Sequence, residues 1–124
     1  DRLEHSYMAG GDEHYRDIPA VLQARIQNGL PQFDSVICGN DRIALMVYQT
    51  LLAQGIRIPE DIAVIGYDNM VGIGELFLPP LSTVQLPHYE IGRLSALHII
   101  NGETHRETTR VESPFLMRNS ITHL

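Results

Sequence analysis

The sequence predicts an α/β fold, a parallel sheet flanked by helices, and two apolar runs carry that prediction. Val36-Ile37-Cys38 ends at Gly39, and Ile62-Ala63-Val64-Ile65 ends at Gly66. Both are continuous rather than alternating, the pattern of parallel strands covered on both faces. A helix-length segment from about Arg42 to Gln54 lies between them. Two parallel neighbours in one sheet require such a crossover.

The residues after each run define a candidate site. The first strand leads into Gly39-Asn40-Asp41 and the second into Gly66-Tyr67-Asp68-Asn69. Ligands of open α/β sheets bind beyond the carboxyl ends of the strands. Two amide–carboxylate pairs therefore reach one edge, where they can bond the hydroxyls or ring nitrogens of a small polar ligand. Asn40 and Asp68 are the expected ligand contacts. Asn40 or Asp41 also suits the N-cap of the following helix.

In chain order, Leu3 to Ala9 alternates loosely and is read as a strand, broken by Gly10-Gly11-Asp12. The polar stretch Glu13-His14-Tyr15-Arg16 follows at another strand end and also reaches towards the site. A helix is expected from about Ile18 to Asn28, with Asp17 as N-cap, Pro19 in its first turn, and Gly29 and Pro31 closing it. The central helix is broadly apolar: Ile43, Val47 and Leu51 form one stripe, with Ala44, Tyr48 and Leu52 beside it and Leu45 and Met46 further round. That exceeds what one sheet face requires. Such a helix is buried from several sides, or its outer face packs on a second subunit. Gly72-Ile73-Gly74 is no dinucleotide fingerprint, because Phe77 replaces the third glycine and Leu78-Pro79-Pro80 stops the helix it must open. A short irregular helix is expected there, then a strand over Leu81 to Leu86, a helix over His88 to Asn101, and an extended segment over Val111 to Arg118.

Composition narrows the function. The 124 residues carry a net charge of −6, and all nine basic residues are arginine. No basic stripe offers a footprint for nucleic acid. The single cysteine, Cys38, lies in an apolar strand and reads as core, fitting a reducing compartment. No apolar run approaches the roughly 18 residues of a membrane span, and no signal peptide is visible. The chain opens on Asp1 rather than Met, as a fragment would. The six histidines show no metal spacing, and neither a nucleophile elbow nor a phosphate-cradling lysine loop occurs. Asp12, Asp41 and Asp68 offer acid/base carboxylates without a reactive partner at suitable spacing. The expectation is a binding protein, not an enzyme, with no cofactor and no metal.

CGNDRIALMVYQTLLAQGIRIPEDIAVIGYDN and FLPPLSTVQLP, continued by HYEIGRLSALHIINGE and RVESPFLMRNS, resemble the effector-binding region of the lactose/galactose/purine-repressor family of bacterial transcriptional regulators. The resemblance implies a partial type I periplasmic-binding-protein fold, mostly one lobe of two, with the segment 88–110 in the other lobe. It implies a sugar or purine effector held by the residues matching Asn40 and Asp68. An aromatic of the loop 11–15 usually stacks on the ligand. Here Glu13 stands at the aligned place, so either Tyr15 substitutes or the stacking is lost, and Leu86 replaces a frequent glutamine. The resemblance further implies a homodimer through Ile43, Met46, Val47 and Phe77. It places the protein in the cytoplasm, away from membranes, and DNA contact would come only from an N-terminal helix-turn-helix missing from this chain. A solute-binding protein of a sugar transport system is the alternative.

Overall fold

The structure is a computed structural model that describes residues 12–104 and 107–122, with side chains from Tyr15 onward. The strand read over Leu3 to Ala9 lies outside the described residues.

A 3-10 helix, Asp12–Asp17, runs into α1, Ile18–Gln23. Proline occupies the first turn of α1 as expected, but Asp17 makes no side-chain cap bond. The helix ends well short of Asn28. Instead Ile26–Gln27 (β1) and Leu30–Pro31 (β2) pair antiparallel around Asn28-Gly29, both at positive φ. Asn-Gly is the favoured pair for a two-residue hairpin turn, and here it wins over helical periodicity.

The main sheet has the order β3–β4–β5–β6: Ser35–Ile37, Ala63–Asp68, Ser82–Gln85 and Phe115–Leu116. The first three strands are parallel, and β6 joins β5 antiparallel. The strand–helix–strand unit is as read: α2, Asp41–Ala53, connects β3 to β4. Asp61 closes the turn into β4, its carboxylate accepting from the Arg57 backbone N–H and guanidinium at 2.7–2.9 Å. The connection from β4 to β5 contains only a 3-10 turn, Gly74–Leu76, because the prolines stop anything longer. α3, His88–Ile100, separates β5 from β6.

The core lies between α2 and the sheet, with α1 packed on the helix from the other side. Ala44, Val47, Leu51, Ile62, Val64 and Leu81 are fully enclosed. Tyr48 meets Phe77 edge-on at 4.8 Å between ring centroids and donates its hydroxyl to the Pro79 carbonyl at 3.0 Å. Thus much of the broad apolar surface of α2 is buried within the chain, from two sides. Val47 (2 % exposed) and Phe77 (5 %), both expected at a dimer interface, lie in this core. Ile43 and Met46 are half-buried against it, and Leu45 and Leu52 are the exposed apolar residues of α2.

Ser120, fully buried, closes the start of the β4–β5 ladder: its hydroxyl donates to the Val64 carbonyl at 2.6 Å and accepts from Ser82 N–H at 2.8 Å. α3 is different in kind. None of its residues is buried, and Tyr89, Ile91, Leu97, Ile99 and Ile100 are exposed.

Candidate functional site

Because β3 and β4 are parallel, Asn40 and Asp68 emerge at the same sheet edge. Asn40 is the N-cap of α2, in extended backbone conformation. Its Oδ1 accepts from Ile43 N–H at 2.9 Å, and its Nδ2 donates to the Tyr15 hydroxyl at 3.0 Å. Two of the expected ligand residues are thus bonded to one another. Tyr15 is half-buried against the core. Glu13 falls in the first 3-10 helix, and its side chain lies outside the described residues.

Asp41 has a different role from either expectation. It is fully buried. Its Oδ1 accepts from the Thr83 hydroxyl at 2.8 Å and its Oδ2 from Met70 N–H at 2.9 Å. The first residue of α2 therefore ties together β5 and the loop after β4. Gly66 makes room for it: a Cβ there would overlap Asp41 Oδ1 and stand 2.8 Å from a Leu81 methyl.

That loop carries Asp68. Asp68 and Asn69 sit at φ 97° and 46°, although neither is glycine. Residues held in sparsely populated backbone regions cost about 1–3 kcal/mol each, and such strain collects at binding sites. Asp68 Oδ1 is enclosed and makes no hydrogen bond of ordinary geometry. Burial first, and the neighbouring Asp41 carboxylate second, raise the Asp68 carboxyl above its ordinary pKa. The backbone N–H groups of Met70 and Asp41 act the other way and lower it, by less.

A cleft of about 400 Å³ opens beside Asp68 and Asn69. Gln85 and Leu86 at the end of β5 and His88, Tyr89 and Glu90 at the start of α3 form its other wall. It lies beyond the carboxyl ends of β4 and β5, where the strand pattern placed a ligand. Asn40 and Tyr15 stand outside it. Sequence reasoning missed Gln85, His88 and Tyr89, whose signal was available: they flank Pro87 immediately after a strand. It also missed Arg118, whose guanidinium donates to Asn69 Oδ1 at 3.0 Å and to the Leu81 carbonyl at 2.8 Å. Nothing local marks that arginine out. Among the described residues no group of three His, Cys, Asp or Glu side chains could hold a metal ion.

Residues 2–119 match the model of the family described as periplasmic binding proteins and sugar binding domain of the LacI family. The chain belongs to that family. The sucrose operon repressors of Shigella flexneri and Escherichia coli are 56 % identical to it over 118 residues, which is 95 % of this chain and 36 % of each repressor. The HTH-type transcriptional repressor PurR of Vibrio atlanticus is 51 % identical over 59 residues, covering 48 % of this chain and 17 % of that protein. Among solved structures, a LacI family transcriptional regulator from Arthrobacter sp. FB24, in complex with lactose, superposes with a TM-score of 0.71 at 30 % identity, covering 87 % of this chain and 41 % of that one. A LacI family regulator from Enterococcus faecium with bound ribose gives a TM-score of 0.67 at 31 % identity, covering 89 % and 40 %. The chain thus spans about a third of the length of the sucrose operon repressors. The fold is that of the LacI family's sugar-binding domain, and the relatives named above are repressors.

Proposed function

We propose that this chain is the effector-sensing part of a sugar-responsive transcriptional repressor, and that the effector is a saccharide bonded by Asp68. The observation that carries the reading is the cleft beyond the strand ends, with the Asp68 carboxyl among its lining groups. A saccharide supplies hydroxyl donors in the geometry a carboxylate accepts. Repressors named for the sucrose operon match 95 % of the chain, which favours a disaccharide over a purine. Asn40 and Tyr15, paired at the same edge, would exchange their mutual bond for ligand contacts as the cleft closes, with Glu13 beside them. The chain binds its ligand without transforming it and takes no cofactor.

The unburied apolar helix α3 is read as packing on a second lobe, so that segment 88–110 bridges the two halves of the clamp. A homodimer forms through the outer side of α2, with Leu45 and Leu52 at its centre and Ile43 and Met46 at its flank. DNA is contacted through a head outside this chain, in the cytoplasm. Ligand shifts the lobes only through its differential affinity for their two arrangements.

The test is calorimetric titration of the full-length protein with sucrose, lactose and ribose, beside Asp68→Ala. Saccharide binding in the wild type that disappears in the variant, with dimer mass and operator binding retained, is expected. Equal affinity in the two proteins refutes the site.

A further inference from the structure

Asp68 is held between two anchors, and the second anchor comes from the far end of the chain. On one side Asp41 accepts from Met70 N–H. On the other, Arg118 reaches in from just beyond β6. Its side chain is 16 % exposed. Nη2 donates to Asn69 Oδ1 at 3.0 Å, Nη1 donates to the Leu81 carbonyl at 2.8 Å, and its backbone N–H donates to Ser82 Oγ at 2.8 Å. The guanidinium has a made seat: a Cβ on Gly74 would lie 2.5 Å from Nη1. The exposed Glu75 carboxylate is 3.9 Å away, a weak counter-charge at best. The guanidinium therefore spends its donors on one carbonyl and on the side chain of the residue that follows Asp68. Its planar fork does this with two separate nitrogens, which a lysine ammonium cannot reproduce.

We propose that Arg118 is a positioning residue for the effector-binding carboxylate of Asp68, acting through its hydrogen bond to Asn69. The inference rests on the reading of Asp68 as the effector contact. Asp68 and Asn69 both hold positive φ, a conformation that persists only where the surroundings impose it. Asn69 Oδ1 bonded to Arg118 fixes the second of these residues from outside. Met70 N–H bonded to Asp41 fixes the next. Without the first bond the turn relaxes, and the Asp68 carboxylate leaves its enclosed position.

Three variants of the full-length protein test this: Arg118→Met, Asn69→Gly, and the two combined. Methionine keeps the stem and removes the donors. Glycine keeps the positive φ and removes only the acceptor. The readouts are sucrose affinity by calorimetry and the titration of the Asp68 carboxyl carbon by NMR without ligand. Each single variant is expected to weaken sucrose binding about tenfold, the size of one charge-assisted hydrogen bond. The double variant is expected to be no weaker than Arg118→Met alone. The Asp68 titration moves down towards the ordinary carboxylate value as the group gains water. Loss of a positive charge without loop release would move it up, so the direction separates the two causes. Unchanged affinity and titration in both single variants, or fully additive losses, overturn the proposal. If the wild type binds no sucrose, the effector reading fails for this sugar. The Asp68 titration then decides alone: a downward move in both variants supports positioning, and no move or an upward one refutes it.

Discussion

Gly66→Ala is the most informative single change. Gly66 lies in β4 opposite Thr83, and Asp41 fills the space above it. The added methyl overlaps the Asp41 carboxylate and stands 2.8 Å from a Leu81 methyl, where ordinary contact begins near 3.4 Å. Asp41 and Leu81 are both fully enclosed, so neither has free space to retreat into. Overpacking of this kind costs about 1–3 kcal/mol. Moving the carboxylate also breaks its bond from Thr83 or Met70, and a hydrogen bond to a charged group is worth about 1.5–3 kcal/mol. Together the loss is about 3–5 kcal/mol. At roughly 4 °C per kcal/mol for a chain of 124 residues, thermal melts followed by circular dichroism should fall by about 15 °C. Gly39→Ala is the matched control. Its Cβ would meet only an Ile43 methyl at 3.7 Å, an ordinary contact. A Gly66→Ala midpoint within about 2 °C of the control would refute the argument that Asp41 is locked against β4.

Three further outcomes follow from the same geometry. Asp68→Asn should raise the ligand-free melting temperature near neutral pH while weakening saccharide binding. The raised carboxyl of Asp68 means the folded state holds its proton more tightly, so this group's contribution falls as pH rises from the ordinary carboxylate value through the raised one; the amide stays neutral, and the variant's advantage should fade in acid melts. Burial, helped by the Asp41 charge, pushes the Cys38 thiol up to about 12, so thiol reagents at about pH 8 should label it only when the domain opens, with a rate that follows denaturant rather than reagent. Phe77→Ala should cost about 3–5 kcal/mol in denaturant unfolding, since it empties a buried site against the Tyr48 ring.

The strand–helix–strand unit was legible because its signals are local. Two continuous apolar runs, each ended by glycine, and a helix between them leave little alternative topology. That Asn40 and Asp68 reach one sheet edge was legible for the same reason, from their places after two parallel runs. Asp41 was not. As sequence it is a helix-start acid beside Asn40, and a cap or ligand contact is the natural reading. Its actual partners are a loop N–H 29 positions on and a hydroxyl 42 positions on, brought close only by the parallel register of β4 and β5. Arg118 escapes notice for the same reason, with partners 37 and 49 positions away. The helix beyond Gln23 was misjudged because apolar spacing outweighed Asn28-Gly29, although a favoured turn pair should have prevailed over so short a stripe. Val47 and Phe77 show a different limit. Apolar breadth on α2 marks burial but does not say by what: Val47 is buried within the chain, and Phe77, in the β4–β5 connection, packs on Tyr48.

Of the two buried-edge carboxylates, only Asp68 has acceptor capacity left for a ligand. Asp41 has given Oδ1 to Thr83 and Oδ2 to Met70. Asp68 lines the cleft from a turn at positive φ, beside a second carboxylate. The backbone conformation and the neighbouring charge both disfavour the free state, and a donated hydroxyl offsets the second. A hydrogen bond to a charged group is worth about 1.5–3 kcal/mol, against about 0.5–1.5 kcal/mol for a neutral pair. Ligand stabilisation should therefore shrink in Asp68→Asn by more than the loss of one neutral hydrogen bond. The amide keeps an acceptor oxygen but carries neither the stored repulsion nor the charge. If melts at one fixed sucrose concentration give the same increment for the wild type and Asp68→Asn, the site draws nothing from this arrangement. The strain at Asp68 would then belong to the architecture of the turn alone.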